Sequence, residues 1–309
     1  MNSSKKELNI AILILAHKDP NFLKRIIKKY SHVNIYFFIH IDNKVNIEEF
    51  NEILSKVPNV YLTPNENRVS VKWGGRSLID AMSVLFRQAS NFPIHFSRYQ
   101  VISGEDYPIG SPESYLNYLQ SEKNKNIEIM RIDRELDKES DKRLINLNLH
   151  DIGLINPRNY SHPVRAGLSI LLGIVRQFRF SKMRTNLSIY HGSNWICLTD
   201  KAVKYILSFE DRNQDFYESF KWSFASDEVY FHTIIGNSGL EISQPLSRQP
   251  DLKNYKYANH FIDWNSGKSG PSIISSDHLD SINKLNDIFF VRKINSNNEE
   301  LLDALDRLR

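Results

Sequence analysis

Residues 9–17 read "NIAILILAH". Positions 10–16 are all apolar and three of them are isoleucine. A strand with one wet face alternates apolar and polar residues. An unbroken apolar run of β-formers instead fits a strand covered on both faces, as in a parallel sheet. His17 then marks the strand's carboxyl end. Downstream, "PNFLKRIIKKY" (20–30) has helical spacing, "NIYFFIHID" (34–42) is a second buried strand, and "NIEEFNEILSKV" (46–57) is an amphipathic helix. A short strand, "NVYLTP" (59–64), precedes a strong helix, "GGRSLIDAMSVLFRQAS" (74–90), with Leu78, Met82 and Leu85 on one face. "RYQVISGEDYPI" (98–109) is another buried strand that ends in acids. This alternation predicts an α/β fold with a mostly parallel central sheet flanked by helices. Ligands of such sheets bind at the carboxyl ends of the strands. His17, Asp42, Glu105 and Asp106 all fall there.

After about residue 125 the pattern loosens. "NIEIMRI" (126–132) reads as a strand, and the charged "DRELDKESDKR" (133–143) as a solvated loop or helix. The stretch 162–186, "HPVRAGLSILLGIVRQFRFSKMRTN", is basic and apolar together. It suits a helix or loop packed on the domain, or peripheral contact with a membrane surface. "SNWICLTDKAVKYILSF" (193–209) reads as strand then helix. "SFASDEVYFHTII" (223–235) opens a helix with Ser226 as N-cap and two acids, Asp227 and Glu228, in the first turn. "FFVRKI" (289–294) and a short polar helix, "NNEELLDALDRL" (297–308), close the chain. No linker separates the halves. The expectation is one domain over 1–309, its two halves differing in texture on either side of about residue 125.

The 309 residues carry 40 basic and 36 acidic side chains, well mixed, for a net charge of +4. That balance argues against nucleic acid as a partner but leaves room for a local basic pocket that takes a phosphate ligand. The sole cysteine, Cys197, cannot pair within the chain and lies in the apolar "NWICL". A buried thiol and a reducing compartment are expected. The N-terminal apolar run is short and is followed by "HKDP" rather than by a small-residue cleavage site, so it reads as a strand and not as a signal peptide. No segment reaches the length of a membrane span.

A sugar-nucleotide enzyme would need a base or nucleophile, a pocket for the nucleoside and positive charge at the diphosphate, and several stretches can be read against those needs. The nearest match to a metal-binding Asp-x-Asp pair is Asp133 and Glu135 in "IDRELDK". Glu105 and Asp106 are adjacent on an extended segment and point apart, which makes a poor chelate. The sequence therefore leans towards a metal-free mechanism in which basic side chains do a cation's work, with Arg292 and Lys293 as candidates. In "KWGGRSL" (72–78), glycines allow close approach and a helix N-terminus favours an anion. "HGSNW" (191–195) joins small polar residues to an aromatic, a composition suited to a sugar.

Taken in order, "ILAHKDP", "FFIHIDNK", "VKWGGRSLIDAM", "YQVISGEDYPI", "GSNWICLTDKAVKYI", "SDEVYFHTII", "FIDW" and "FFVRKI" resemble the core-2/I-branching β-1,6-N-acetylglucosaminyltransferase and peptide O-xylosyltransferase family, across about residues 9 to 294. The resemblance implies a GT-A-type fold, with a nucleotide-binding half (about 1–125) and an acceptor and catalytic half (about 126–309) in the one domain, and an inverting transfer from a UDP-sugar without cofactor or divalent metal. It implies that Glu228 is the catalytic base and that Asp42 contacts the nucleoside, with Ala16 and His17 lining the uracil pocket. Trp73, Ser193, Asn194 and Trp195 would face the donor sugar or acceptor. Arg292 and Lys293 would compensate the diphosphate, and Asp106 would sit near the donor. Where the vertebrate branching enzymes carry an Arg, this chain has Ser272, so the second diphosphate cation falls to Arg292 or Lys268. Asn194 stands where xylosyltransferases carry Asp, which favours N-acetylglucosamine over xylose as the sugar. The absence of a membrane anchor and of paired cysteines fits a bacterial, cytoplasmic relative, at most peripheral to the inner face of the membrane. Such a relative would act on an oligosaccharide or lipid-linked glycan. UDP-xylose transfer and a non-catalytic sugar-nucleotide-binding module are the alternatives.

Overall fold

The opening run forms β1 (Ile10–Ala16), whose two faces feed two different cores. Ile10, Ile12 and Ile14 pack on one side of the sheet, and Ala11 and Leu13 on the other. That two-sided burial is why the run shows no alternation. The computed structural model describes residues 8–152, 161–175, 183, 185–246, 255–264 and 270–308.

The first half alternates as its sequence suggests. It contains β1, α1 (Pro20–Lys29), β2 (Ile35–Ile41), α2 (Glu48–Leu54), β3 (Val60–Leu62), α3 (Ser77–Ser90), β4 (Arg98–Ser103), β5 (Tyr107–Pro108) and α4 (Pro112–Gln120). The second half adds β6 (Glu128–Leu136), α5 (Lys142–Ile145), α6 (His162–Val175), β7 (Ile189–Gly192), β8 (Cys197–Thr199), α7 (Asp200–Arg212), α8 (Gln214–Glu218) and α9 (Asp227–Gly236). It ends with β9 (Ile242–Gln244), β10 (Lys256–Tyr257), β11 (His260–Ile262), α10 (Leu279–Lys284), β12 (Phe290–Arg292) and α11 (Glu299–Asp306).

The main sheet has the order β3-β2-β1-β4-β8-β6-β7, with β9 beside β6. Strands β3, β2, β1 and β4 are parallel, while β8, β6 and β7 join antiparallel. A smaller sheet, β10-β11-β12-β5, ties "DYPI" to the tail strand "FFVRKI". Each sheet therefore draws strands from both halves of the chain.

Local chemistry explains the turns that matter for the site. After β1, Asp19 takes a left-handed conformation and its side chain accepts from Phe22 N at 2.9 Å, while Pro20 occupies the first helical turn. "HKDP" is thus a strand-to-helix turn at the carboxyl edge of the sheet. The buried face of α3 is Ile79, Met82, Leu85, Phe86 and Ala89, whereas Leu78 is only half-buried. The charged run from Asp133 differs from expectation. Its first residues extend β6, because Glu135 and Leu136 pair with Tyr190 and Ile189 of β7. Cys197 is fully buried. Helix α6 turns Val164, Ile170, Leu171 and Ile174 outward. Residues 176–182 and 184 of the basic stretch lie outside the described residues. Among the described residues no helix is long and apolar enough to cross a membrane.

Candidate active site

Glu228 stands in the first turn of α9. The loop before it is fixed from outside. Phe224 N donates to Arg143 O at 2.9 Å, and Ala225 N donates to Gly74 O at 3.0 Å. The Trp73 ring meets the rings of Phe224 and His150 at 5.5 and 6.0 Å, with Trp73 itself exposed. Ser226 does not cap the helix with its side chain. Its backbone is already helical, and its hydroxyl donates to Ser223 O instead. The Glu228 carboxylate is held by side chains. Arg143 Nη1 and His191 Nε2 both lie 3.0 Å from Oε2. Burial pushes this carboxyl up, but His191 and Arg143 outweigh it and hold Glu228 below the usual range.

His191 is brought there by β7. At the next residue, a Cβ on Gly192 would come within 2.0 Å of Arg131 O and 2.5 Å of the His232 ring, so only glycine lets β7 pass so close to β6 and α9. The far nitrogen of His191, Nδ1, faces Asp133 Oδ2 at 3.8 Å. Arg131 Nε holds the other Asp133 oxygen at 2.5 Å. Asp133 therefore belongs to the support of Glu228. Among the described residues, no group of three or more His, Cys, Asp or Glu side chains could hold a metal ion.

From Glu228 the candidate residues form one line of contacts. Neighbouring Asp227 is buried and accepts from Asn194 Nδ2. Trp195 lies under the Arg292 guanidinium, 4.3 Å from ring centroid to Cζ. Arg292 Nη1 donates to Ser103 Oγ at 2.5 Å and to Asp106 Oδ1 at 2.7 Å. Lys293 Nζ lies 2.9 Å from Glu105 Oε2, and Lys18 Nζ lies 2.7 Å from Glu105 Oε1. Lys18 follows Ala16 and His17, and Ala16 O accepts from Asp42 N at 2.9 Å. Asp42 is buried, with its side chain on Lys44 N and Nζ at 3.0 and 3.3 Å. The carboxyl ends of β1, β2, β4 and β12 thus meet the start of α9 in one place. Ser193 is half-buried between His191 and Asn194.

Two sequence readings change. Asp106 is completely buried, with one oxygen on Arg292 and the other on Ser103 N at 2.6 Å. It positions Arg292 and does not itself face a ligand. The N-terminus of α3 is also not free for a ligand's anion. Asp151 fills it, accepting from Arg76 N at 2.7 Å and from Ser77 N at 3.3 Å. A Cβ on Gly75 would sit 2.0 Å from that carboxylate, so the glycine serves this internal cap. Ser272 lies beside the basic pair through its backbone, since its carbonyl accepts from Lys293 N at 3.4 Å. Lys268 lies outside the described residues. Arg143, His191 and Asp151 were missed by sequence reasoning. The first sits in a charged run, the second in the "HG" beside "SNW", and the third has no local signal.

The two adjacent acids are pushed in opposite directions. Burial, then the charge of Glu228, raises Asp227 to about 7. An unfolded Asp releases its proton near pH 3.9. Between about pH 4 and 7 the native chain therefore holds a proton that the unfolded chain has lost, and stability falls as pH rises through that window. Asp227→Asn has no such proton. Melting curves across the window will show wild type losing Tm more steeply than Asp227→Asn. Parallel curves would remove Asp227 as the cause.

The chain is similar to Xylosyltransferase 2 of Pan troglodytes, with 26% identity over 97% of this chain and 33% of that protein. It is also similar to Xylosyltransferase sqv-6 of Caenorhabditis briggsae, with 25% identity over 77% of this chain and 27% of that protein. It spans about a third of the length of the curated relatives it matches. A solved structure, mouse Xyloside xylosyltransferase 1 in its apo form, overlaps 76% of this chain and 84% of its own at 12% identity, with a TM-score of 0.34. That overlap is too loose to carry any statement about this chain. The model of one family matches residues 10–285, most of the chain and every strand and side chain of the site up to α10. On that match the chain belongs to the Core-2/I-Branching enzyme family, a family of glycosyltransferases.

Proposed function

We propose that this chain is an inverting glycosyltransferase that moves a sugar, N-acetylglucosamine first of all, from a UDP-sugar to a hydroxyl of a glycan acceptor. No cofactor or divalent metal takes part in this reading. The observation that carries it is the continuity of the site. A carboxylate held ionised by Arg143 and His191 lies at one end, and the basic cluster of Lys18, Arg292 and Lys293 lies at the other. Trp195 and Asn194 lie between them. Glu228 takes the proton of the acceptor hydroxyl as its oxygen bonds to the anomeric carbon. The bond from that carbon to the phosphate oxygen breaks, and UDP leaves from the opposite face with the electron pair. Arg292 and Lys293 meet the charge that develops there. Asp42, Ala16 and His17 hold the nucleoside, and Trp73 and Ser193 contribute on the side of the sugar or acceptor. The whole chain works as one domain, its first 125 or so residues serving the nucleotide.

Xylose is the second reading, favoured by the names of the relatives and opposed by Asn194. A lipid-linked acceptor and a cytoplasmic site at the face of a membrane go with the proposal. The buried lone thiol of Cys197 and the outward apolar side chains of α6 support them.

UDP release from a panel of UDP-sugars, with a glycan acceptor and excess EDTA, tests this reading. Turnover of UDP-N-acetylglucosamine should persist in EDTA. Turnover confined to UDP-xylose would select the second reading. Loss in EDTA with rescue by manganese would remove the metal-free mechanism, and UDP binding with no turnover of any donor would leave a binding module.

A further inference from the structure

Glu105 does something in this cluster that the proposed reaction does not need. Its carboxylate is gripped by cations from both sheets. Lys18, just beyond β1, is 2.7 Å away, and Lys293, just beyond β12, is 2.9 Å away. Arg292 Nη2 stands at 3.7 Å. The Glu105 side chain is 13% exposed, whereas the Lys18 and Lys293 side chains are 55% and 36% exposed. The carboxylate therefore sits inward, with the lysines reaching over it from solvent. Burial alone raises this carboxyl, but Lys18, Lys293 and Arg292 together hold it down at about 2. The negative charge is thus present at every working pH. The other acid of the pair, Asp106, is fully buried on Arg292 and Ser103 and has no freedom to leave.

We infer that Glu105 is an internal competitor for the donor's diphosphate: in the free chain its carboxylate occupies the seat formed by Lys18, Arg292 and Lys293, and the diphosphate must displace it. The inference rests on the reading that this edge takes a UDP-sugar. It follows from charge. Three cations face two carboxylates here, and taking away Glu105 leaves three against one. A diphosphate entering the seat exchanges one anion for another rather than filling an empty cationic site. Such an exchange weakens donor and product alike, because both carry the diphosphate. UDP therefore leaves readily after transfer, at the expense of donor affinity.

The sign of the effect separates a competitor from an ordinary structural ion pair. A carboxylate that merely positions Lys18 and Lys293 strengthens UDP binding, and its loss weakens it. A competitor does the reverse. Calorimetry of the full chain with UDP, inorganic pyrophosphate and uridine, on wild type and Glu105→Gln, reads that sign. Partly exposed ion pairs are worth a factor of a few each, so Glu105→Gln should bind UDP and pyrophosphate about three- to tenfold tighter. Uridine should be unchanged, and inhibition of turnover by UDP should tighten in step. Unchanged or weaker UDP binding in a folded Glu105→Gln overturns the inference, and so does equal tightening of uridine. Should that variant fail to fold, Glu105→Asp draws the carboxylate back by one methylene and should tighten UDP by a smaller factor. No gain there overturns the inference too. Wild type that binds UDP beside variants that bind it no better sinks this inference alone. Wild type that binds neither UDP nor pyrophosphate sinks the donor reading, and the inference with it.

Discussion

Glu228→Gln will lower kcat by about 10²–10⁴-fold, the usual worth of general base catalysis, with UDP affinity and Tm close to wild type. The amide keeps the shape of the side chain and loses its charge, and so both the capacity to accept the proton and the ion pair with Arg143, a part-exposed contact worth little to Tm. UDP affinity is spared because the basic cluster lies at the other end of the site, past Asn194 and Trp195. Asp227→Asn will cost turnover far less, since Asp227 is buried on Asn194 while Glu228 is the acid of the pair that reaches the opening. Arg143 and His191 hold Glu228 below the usual carboxylate range. The base form is therefore present above that depressed pKa, and the acid limb of kcat/KM should fall below pH ~4.3, the ordinary glutamate value. A lowered pKa makes a carboxylate a weaker base, so the pairing that keeps Glu228 ionised also limits its pull on the acceptor proton. Near-wild-type turnover by Glu228→Gln would reduce the "SDE" stretch to a helix start paired with Arg143 and His191 and put the base elsewhere.

What the sequence could and could not reveal follows the range of the interactions. β1 and β2 are legible because burial on both faces is written in consecutive residues, and "HKDP" because Asp19 and Pro20 do their work within one turn. The acids and His17 at strand ends follow from those strands. Contacts across the chain leave no such trace. Glu228 meets Arg143, 85 residues away, and His191, 37 residues away. Asp151 caps α3 from 75 residues downstream of Arg76. Each of these partners is an ordinary charged or polar residue in its own neighbourhood. Glu105 was visible as half of an acid pair, but its three cations come from the ends of β1 and β12, which only the fold brings together. Ser226 misled in the opposite way. It has the right residue type for a cap, yet the chain is already helical there, so its hydroxyl turns back to Ser223.

Lys293→Ala will weaken UDP binding by about ten- to a hundredfold and leave uridine within about twofold of wild type. A hydrogen bond to a charged group contributes about 1.5–3 kcal/mol, and about 1.4 kcal/mol is tenfold in affinity. Lys293 is a cleaner probe than Arg292. Arg292→Ala would strand the fully buried Asp106 carboxylate, and breaking a buried pair by removing one partner costs about 3–5 kcal/mol of stability. Lys293 pairs instead with Glu105, which keeps Lys18 at 2.7 Å after the substitution. The remaining carboxylate then faces the diphosphate with one cation fewer, which adds to the loss. That addition gives a second, independent reading. If Glu105 competes for the seat, adding Glu105→Gln to Lys293→Ala will recover part of the affinity lost by Lys293→Ala, because removing the competing carboxylate still favours the diphosphate when one lysine is gone; a double-mutant cycle reads how far the two effects depart from their sum. If Glu105 only orders the lysines, removing it has little left to order once Lys293 is gone, and no recovery follows. Equal losses for UDP and uridine in Lys293→Ala would mark a damaged fold and would take Lys293 out of the diphosphate site.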